Sequence, residues 1–571
     1  MMKQVPLLPI IILISLNTFA QIPVFDWAAG MGGPIEDAFG YSISYDSSGN
    51  VYTTGQFRGT VDFDPGPGIY NLTSNGLEEV FISKLDASGN FIWAKSIGGT
   101  SKDEGYSITT DAAGNSIIIG RFIGTVDFDP DTGVYSLFSH QDIFIMKLNS
   151  SGSLVWVKQI GADMDNTGYS ITTDGAGNIY ASGSFEDTVD FDPGPGVFNM
   201  IPTTSAYGTG DAFVLKLDSA GQFLWAKQMG GPSFNLGDDD VAYCIHVDQS
   251  GNVFTTGCFF GPADFDPGPG VYNLVAPNNY IDAFVSKLDS NGNFIWAKSF
   301  DGPSTELGWS VHTDANGNVF TCGMFNGTVD FDPGPGVFNL TAISPYYNDA
   351  FLSKLDSAGN FLWAIRLGGT NSDEAMSVTT DASGNAIVTG YFEGVVDFDP
   401  GPGTFTLTSG SPATFIAIYD PSGNFIWAGS LGYGKGKSIQ MDPNNNLYTG
   451  GEYGGSPDMD PGAGVFIVPS SARSIFAHKM HLVPVGIREE NPETAWHVYP
   501  NPGSQEFTIS TVKRIPRFTL RIFSVDGQLI STHSCSGLNS TRFSIDASPG
   551  FYILELESAE GVIERLPVIK E

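Results

Sequence analysis

The sequence predicts an all-β chain: a seven-bladed β-propeller whose N-terminal strand closes the last blade, followed by a small C-terminal β-sandwich. Three observations carry that expectation. The phrase V-D-F-D-P-G-P-G recurs with variations seven times, at a spacing of about 66 residues, and a fixed period of that length marks a repeat architecture. Each interval holds four short alternating apolar segments separated by glycine turns, which is the content of one blade. The first and last repeats are each incomplete, and what one lacks the other has.

Residues 1–20 read as a secretory signal. Lys3 supplies the positive start, residues 7–16 the apolar stretch, and Thr18-Phe19-Ala20 a small-residue cleavage site. Residues 21–481 are expected to form the propeller. In the repeat at 105–160, residues 106–110 alternate as a strand and Asp111-Ala112-Ala113-Gly114-Asn115 turns it. Residues 116–122 make a second strand, 126–133 an acidic loop, 142–148 a third strand and 154–158 a fourth. The turn aspartates Asp46, Asp111, Asp174, Asp248, Asp314 and Asp381, and their counterparts Asp86, Asp218, Asp289, Asp356 and Asp420, are expected to cap backbone N–H groups rather than bind metal.

A tryptophan marks the fourth strand at Trp27, Trp93, Trp156, Trp225, Trp296, Trp363 and Trp427. No tryptophan strand follows the last third strand at 474–480, and no three strands precede Trp27. Pairing the N-terminal strand into the last blade satisfies both ends and removes two raw sheet edges.

After Met480 the repeat stops. Residues 482–495 read as a linker and 496–571 as a sandwich of short strands with glycine turns. Acidic residues number 62 against 26 Lys plus Arg, a formal net charge of −36. That excludes nucleic acid as a partner and disfavours an anionic membrane surface. Four cysteines do not make a disulfide framework in a chain this long. Cys244 and Cys258 fall on neighbouring strands where a bridge is conceivable, Cys322 and Cys535 have no mates, and isolated thiols are the favoured reading.

The candidate metal residues are the paired aspartates of the repeated phrase: Asp62 and Asp64, Asp127 and Asp129, Asp190 and Asp192, Asp264 and Asp266, Asp330 and Asp332, Asp397 and Asp399, Asp458 and Asp460. Strand alternation points Val and Phe into the blade and both carboxylates away from it. Two carboxylates at i and i+2 with nearby carbonyls suit Ca²⁺, the one cofactor the sequence suggests. The competing account is a solvated turn whose Phe anchors the loop.

No H-E-x-x-H, G-x-S-x-G or phosphate-cradling loop stands in a credible context, so no catalytic residues are assigned. His246 and His312 occupy equivalent positions in neighbouring blades and read as ordinary strand residues. In a ring of near-copies a ligand site should appear as a break in the repeat. The breaks are 233–240, 203–210 and the Tyr346-Tyr347 loop, and Tyr207, Trp309, Tyr346 and Tyr347 are the aromatics placed to stack on a glycan.

Two resemblances accompany this reading. G-T-V-D-F at 59–63 and D-A-F-V-S-K-L-D-S-N-G-N-F-I-W-A-K at 282–298 resemble the bacterial beta-propeller repeat. That likeness implies a fold and little about activity. Tyr499-Pro500-Asn501-Pro502, Ile522-Phe523-Ser524-Val525-Asp526-Gly527 and Gly550-Phe551-Tyr552-Ile553-Leu554 resemble the C-terminal sorting domain of the type IX secretion system of Bacteroidetes-type bacteria. This resemblance implies that the secretion machinery is a partner, with Tyr499 to Pro502 part of the sorting signal. It also implies passage through the periplasm to the cell surface or medium, commonly with removal of the tail, although residues 565–571 depart from the usual ending. The expected function is a monomeric, exported, non-enzymatic binding or scaffold module for a glycan or protein. The alternative is an extracellular enzyme acting on polysaccharide or protein from the irregular loops at the ring centre.

Overall fold

A computed structural model describes residues 21–571 apart from 34–36, 205–208, 233–238, 277–279, 463, 471, 485–495, 500–505, 525–527, 548–549, 559–562 and 571. The expected signal segment 1–20, Tyr207, most of the 233–240 insertion and Pro500 to Pro502 of the sorting motif lie outside the described residues. No helix among those described is long and apolar enough to cross a membrane. The chain divides into two compact units, Pro23–Leu482 and one containing Val483–Glu571.

The first unit is an array of antiparallel four-stranded sheets of propeller type. In the first, the order is Ala38–Tyr45, Val51–Phe57, Glu79–Leu85, Phe91–Ile97, each strand hydrogen-bonded to the next in sequence. Four more sheets repeat this order, beginning at Glu104–Thr110, Asn166–Thr173, Val241–Val247 and Leu307–Thr313. Apart from short two-stranded ribbons, the remaining strands of this unit form one seven-stranded sheet. Its strands join because Phe425–Met441, 17 residues long, serves as the outer strand of one four-stranded set and the inner strand of the next. The N-terminal strand Gln21–Met31 lies at the edge of this sheet against Ser474–Pro484.

Between sheets, the inner strands neighbour one another in turn, from Ala38–Tyr45 through each successive set to Phe425–Met441 and back to Ala38–Tyr45. The tryptophan strand explains how neighbouring sheets dock. Trp93 Nε1 and Lys84 Nζ both donate to the Ser150 carbonyl of the next sheet, each at 3.2 Å. Trp225 with Lys216, Trp296 with Lys287, and Trp363 with Lys354 repeat the pattern on Ser290, Ser357 and Pro421. The indole lies flat on the turn glycine that follows. Gly89 adopts left-handed backbone at φ 82°, and a Cβ there would sit 2.8 Å from the Trp27 ring, so two independent constraints demand glycine.

The acidic phrase is more ordered than a loop. Thr60–Asp62 pairs with Asn71–Thr73 as a two-stranded ribbon, and in the second sheet Ser116–Asp127 runs through without a break. The reason lies in the side chains. Phe63, Phe128, Phe191, Phe265, Phe331 and Phe398 are fully buried, edge-on to a second-strand phenylalanine in each case, as with Phe57 at 5.5 Å and 84°. Met459 takes this place in the last repeat.

The second unit holds a five-stranded antiparallel sheet. Its long strand Glu506–Ser524 pairs with Trp496–Tyr499, Leu529–Ser544 and Gly550–Ser558, and Ile563–Lys570 follows. Phe507, Ile509, Leu520, Ile522, Leu554 and Val568 form its apolar core.

Candidate ligand-binding surfaces

The predicted metal carboxylates are placed one pair per loop, each turned onto its own backbone. Asp62 Oδ1 accepts from the Asp64 and Tyr70 amides at 3.0 and 2.8 Å, and Asp64 Oδ1 accepts from the Gly66 amide at 2.8 Å. The same three bonds recur at Asp127/Asp129, Asp190/Asp192, Asp264/Asp266, Asp330/Asp332, Asp397/Asp399 and Asp458/Asp460. A Cβ on Gly68 would lie 2.1 Å from Asp64 Oδ2, so the final glycine of the phrase leaves room for the carboxylate. Among the described residues no group of three or more His, Cys, Asp or Glu side chains comes together in a metal-holding arrangement.

The D-x-x-G-N aspartates act as turn caps. Asp46 accepts from the Ser48 and Asn50 amides, the Asn50 side chain and the Tyr52 hydroxyl. Partial burial works against the charge, but these bonds prevail and hold its pKa below the usual carboxylate value.

Five residues before each of those turn aspartates, the inner strand carries a β-bulge, and the bulged residue lines the central channel. In five successive sheets it is aromatic: Tyr41, Tyr106, Tyr169, Tyr243 and Trp309. Their ring centroids are 5.7, 5.3, 5.2 and 4.7 Å apart in sequence order, a continuous arc. Met376 and Lys437 complete the series. The channel encloses about 350 Å3. Within the arc, Glu104 accepts from the Tyr106 hydroxyl at 2.8 Å and from Arg121 Nε at 2.6 Å. Burial, opposed by Glu452, pulls the Lys437 ammonium below its usual value. Trp309, expected to stack on a glycan, therefore stands in an arc with Tyr41, Tyr106, Tyr169 and Tyr243, which the sequence did not single out. The signal available was their constant distance from the turn aspartate.

At the other mouth a 580 Å3 cavity is bordered by His246, His312 and turn residues such as Asp248 and Asp314. The two imidazoles are 4.3 Å apart, and each touches a threonine hydroxyl, His246 on Thr313 and His312 on Thr380. Burial holds His312 down to about 4, so the ring is neutral at ordinary pH. Tyr346 and Tyr347 stand on an exposed loop, 86 % and 49 % accessible, and are not among the channel-lining residues. Cys244, Cys258 and Cys322 are free thiols.

A third cavity, about 480 Å3, lies on the seam where the last sheet of the repeat array meets the first. Asp37, Tyr433, Lys435, Glu452, Tyr453 and Arg473 line it. Here the connection between sheets is absent, because Phe425–Met441 passes straight through. Where other inner strands begin with Asp103-Glu104 or Asp373-Glu374, this one has Gly434-Lys435. Two basic side chains, Lys435 and Arg473, thus stand beside Asp37 and Glu452 at this junction, which a search for inserted residues overlooks because the break is a deletion.

Buried carboxyl pairs recur at the sheet junctions. Asp103 accepts from the Gly99 and Ile123 amides and Asp373 from Gly369 and Glu393, yet burial pushes each up to about 7. Asp282 and Glu306 are wholly buried side by side. Burial, then the charges of Asp301 and of Asp282 respectively, raises both.

Residues 497–570 match the family described as Secretion system C-terminal sorting domain, and residues 155–184 match the Beta-propeller repeat. An uncharacterized WD repeat-containing protein of Acanthamoeba polyphaga mimivirus is 26 % identical over 510 residues, covering 76 % of this chain and 36 % of that protein. Regulatory protein FlaEY of Caulobacter vibrioides is 24 % identical over 241 residues, 40 % of this chain and 24 % of that one. The chain thus spans little more than a third of the length of these relatives at most. Among solved structures, the Pan2 WD40 domain of Neurospora crassa overlays with a TM-score of 0.36 at 11 % identity, covering 77 % of this chain and 88 % of that domain.

Proposed function

The chain carries a beta-propeller repeat and a type IX secretion system C-terminal sorting domain, and from these we propose an exported, non-enzymatic binding module built on a closed seven-bladed ring. The sorting domain sends it to the outer cell surface or the medium by way of the type IX machinery. Ring closure is supported by the edge pairing of Gln21–Met31 with Ser474–Pro484 and by the cycle of inner-strand neighbours. On this reading the five-stranded tail folds over its core as a small sandwich, and the mature protein is a monomer that needs no metal to hold its loops.

The observation that carries the binding role is the aromatic arc. Rings from five consecutive sheets, each fixed by a bulge in a rigid strand, form one concave stacking surface beside polar groups. Such surfaces suit the apolar faces of sugar rings. The test is a screen of the purified full chain for glycan binding and for glycan or protein degradation. Binding that Tyr243→Ala and Trp309→Ala weaken supports the module. Turnover of a polysaccharide or protein, abolished by one carboxylate substitution, overturns it in favour of an enzyme.

A further inference from the structure

We propose that the seam cavity is a subsite for a carboxylate-bearing sugar residue. This deepens the binding-module reading and rests on it. Lys435 and Arg473 both line the cavity in a protein whose formal net charge is −36. Among the described residues neither is joined to a carboxylate. Each is held instead over an aromatic face, Lys435 Nζ 4.1 Å from the Tyr391 ring centroid and the Arg473 guanidinium 5.1 Å from that of Phe39. The ring that positions Lys435 is itself fixed, because the Tyr391 hydroxyl donates to Glu374 Oε1 at 2.6 Å. With neither joined to the Asp37 or Glu452 carboxylate of the same cavity, both cations are left to an anion supplied from outside, and the arginine fork matches a carboxylate.

The other lining groups narrow the anion. Asp37 and Glu452 are acceptors for hydroxyl groups, and a phosphate or sulfate alone leaves them facing negative charge. Tyr433 is 47 % exposed and offers a stacking face. Carboxylate, hydroxyls and an apolar ring face occur together in a uronic acid. The absence of a connection between the last two strand sets leaves room for it: a Cβ on Gly454 would lie 2.7 Å from the Tyr433 ring, so backbone without a side chain frames that wall.

The experiment is calorimetric titration of the full chain with tetragalacturonate, with its methyl ester, and with a sulfated neutral tetrasaccharide. The free acid should bind, with the ester at least tenfold weaker. Lys435→Gln and Arg473→Gln should each weaken the acid about tenfold, the loss expected for one charge-assisted contact. Their melting transitions should match the parent, which separates a lost contact from a lost fold. Asp37→Asn, at an exposed position, should bind the acid more tightly by removing a like charge. Equal binding of acid and ester, equal binding of the sulfated sugar, unchanged affinity in both cation variants, or no binding of the acid overturns the proposal. A chain that ignores tetragalacturonate yet binds other glycans in a Tyr243-dependent way loses this subsite and keeps the module.

Discussion

Trp27 Nε1 donates to the Ala87 carbonyl at 3.1 Å, and Lys479 Nζ reaches the same oxygen at 3.5 Å from the far end of the repeat array. This is the contact that Trp93 and Lys84 make with Ser150 between consecutive sheets. The junction between chain ends is therefore built like an internal one. Trp27→Ala and Trp296→Ala should cost similar stability, about 2–4 kcal/mol each, as for truncation of a largely buried indole. Chemical denaturation of the two variants checks this. A Trp27→Ala protein as stable as its parent would mean the N-terminal strand is not part of the folded ring.

The acidic loops are held by their own amides. Gly68→Ala should destabilise by about 1–3 kcal/mol, since the new methyl meets Asp64 Oδ2 and breaks a cap. The same substitution at Gly66, whose Cβ would lie 3.0 Å from Asp64 Oδ1, should be milder. Thermal melting of both variants gives the order.

Calcium is tested separately. Because each Oδ1 already accepts backbone N–H groups, chelator should leave Tm unchanged. A Tm that falls by several degrees in EDTA and recovers with Ca²⁺ would establish the cation as a stabiliser of these loops.

The buried carboxyls make stability depend on pH in a fixed direction. Asp103 and Asp373 at about 7 and Asp349 at about 6 lie above their unfolded value near 3.8, so the native state binds more protons in that window. Stability should rise as pH falls from about 7 towards about 4. Below that, the turn aspartates lose the advantage of their lowered pKa values, as at Asp46, Asp111 and Asp174, and stability should decline. The optimum is expected at about pH 4. Asp373→Asn should flatten the slope between pH 4 and 7 in equilibrium unfolding curves, and an unaltered slope would exclude this source.

Much of the repeat was legible because it rests on local chemistry. The D-x-x-G-N turns, the buried phenylalanine of the acidic phrase and the position of the tryptophan strand each follow from a few adjacent residues. The aromatic arc was harder to read. Tyr106 looks like any strand tyrosine until a bulge turns it into the channel, where a ring from the next sheet meets it. Likewise Lys435 and Arg473 lie on separate segments of the last sheet, and only the pairing of both flanking strands with the one that carries Glu452 brings them to one cavity. The expected stacking residues Tyr346 and Tyr347 stand out in sequence as an irregular pair, but an exposed loop carries them to solvent.

Ring closure is tested most directly by a disulfide across the chain ends. His481 Nδ1 lies 2.7 Å from Asp26 Oδ1 although 455 residues separate them. In a full chain with its own cysteines replaced by serine, Asp26→Cys with His481→Cys should form a bond on mild oxidation, seen as altered mobility on a non-reducing gel and a higher Tm. Two thiols that stay free under those conditions would contradict the closed ring.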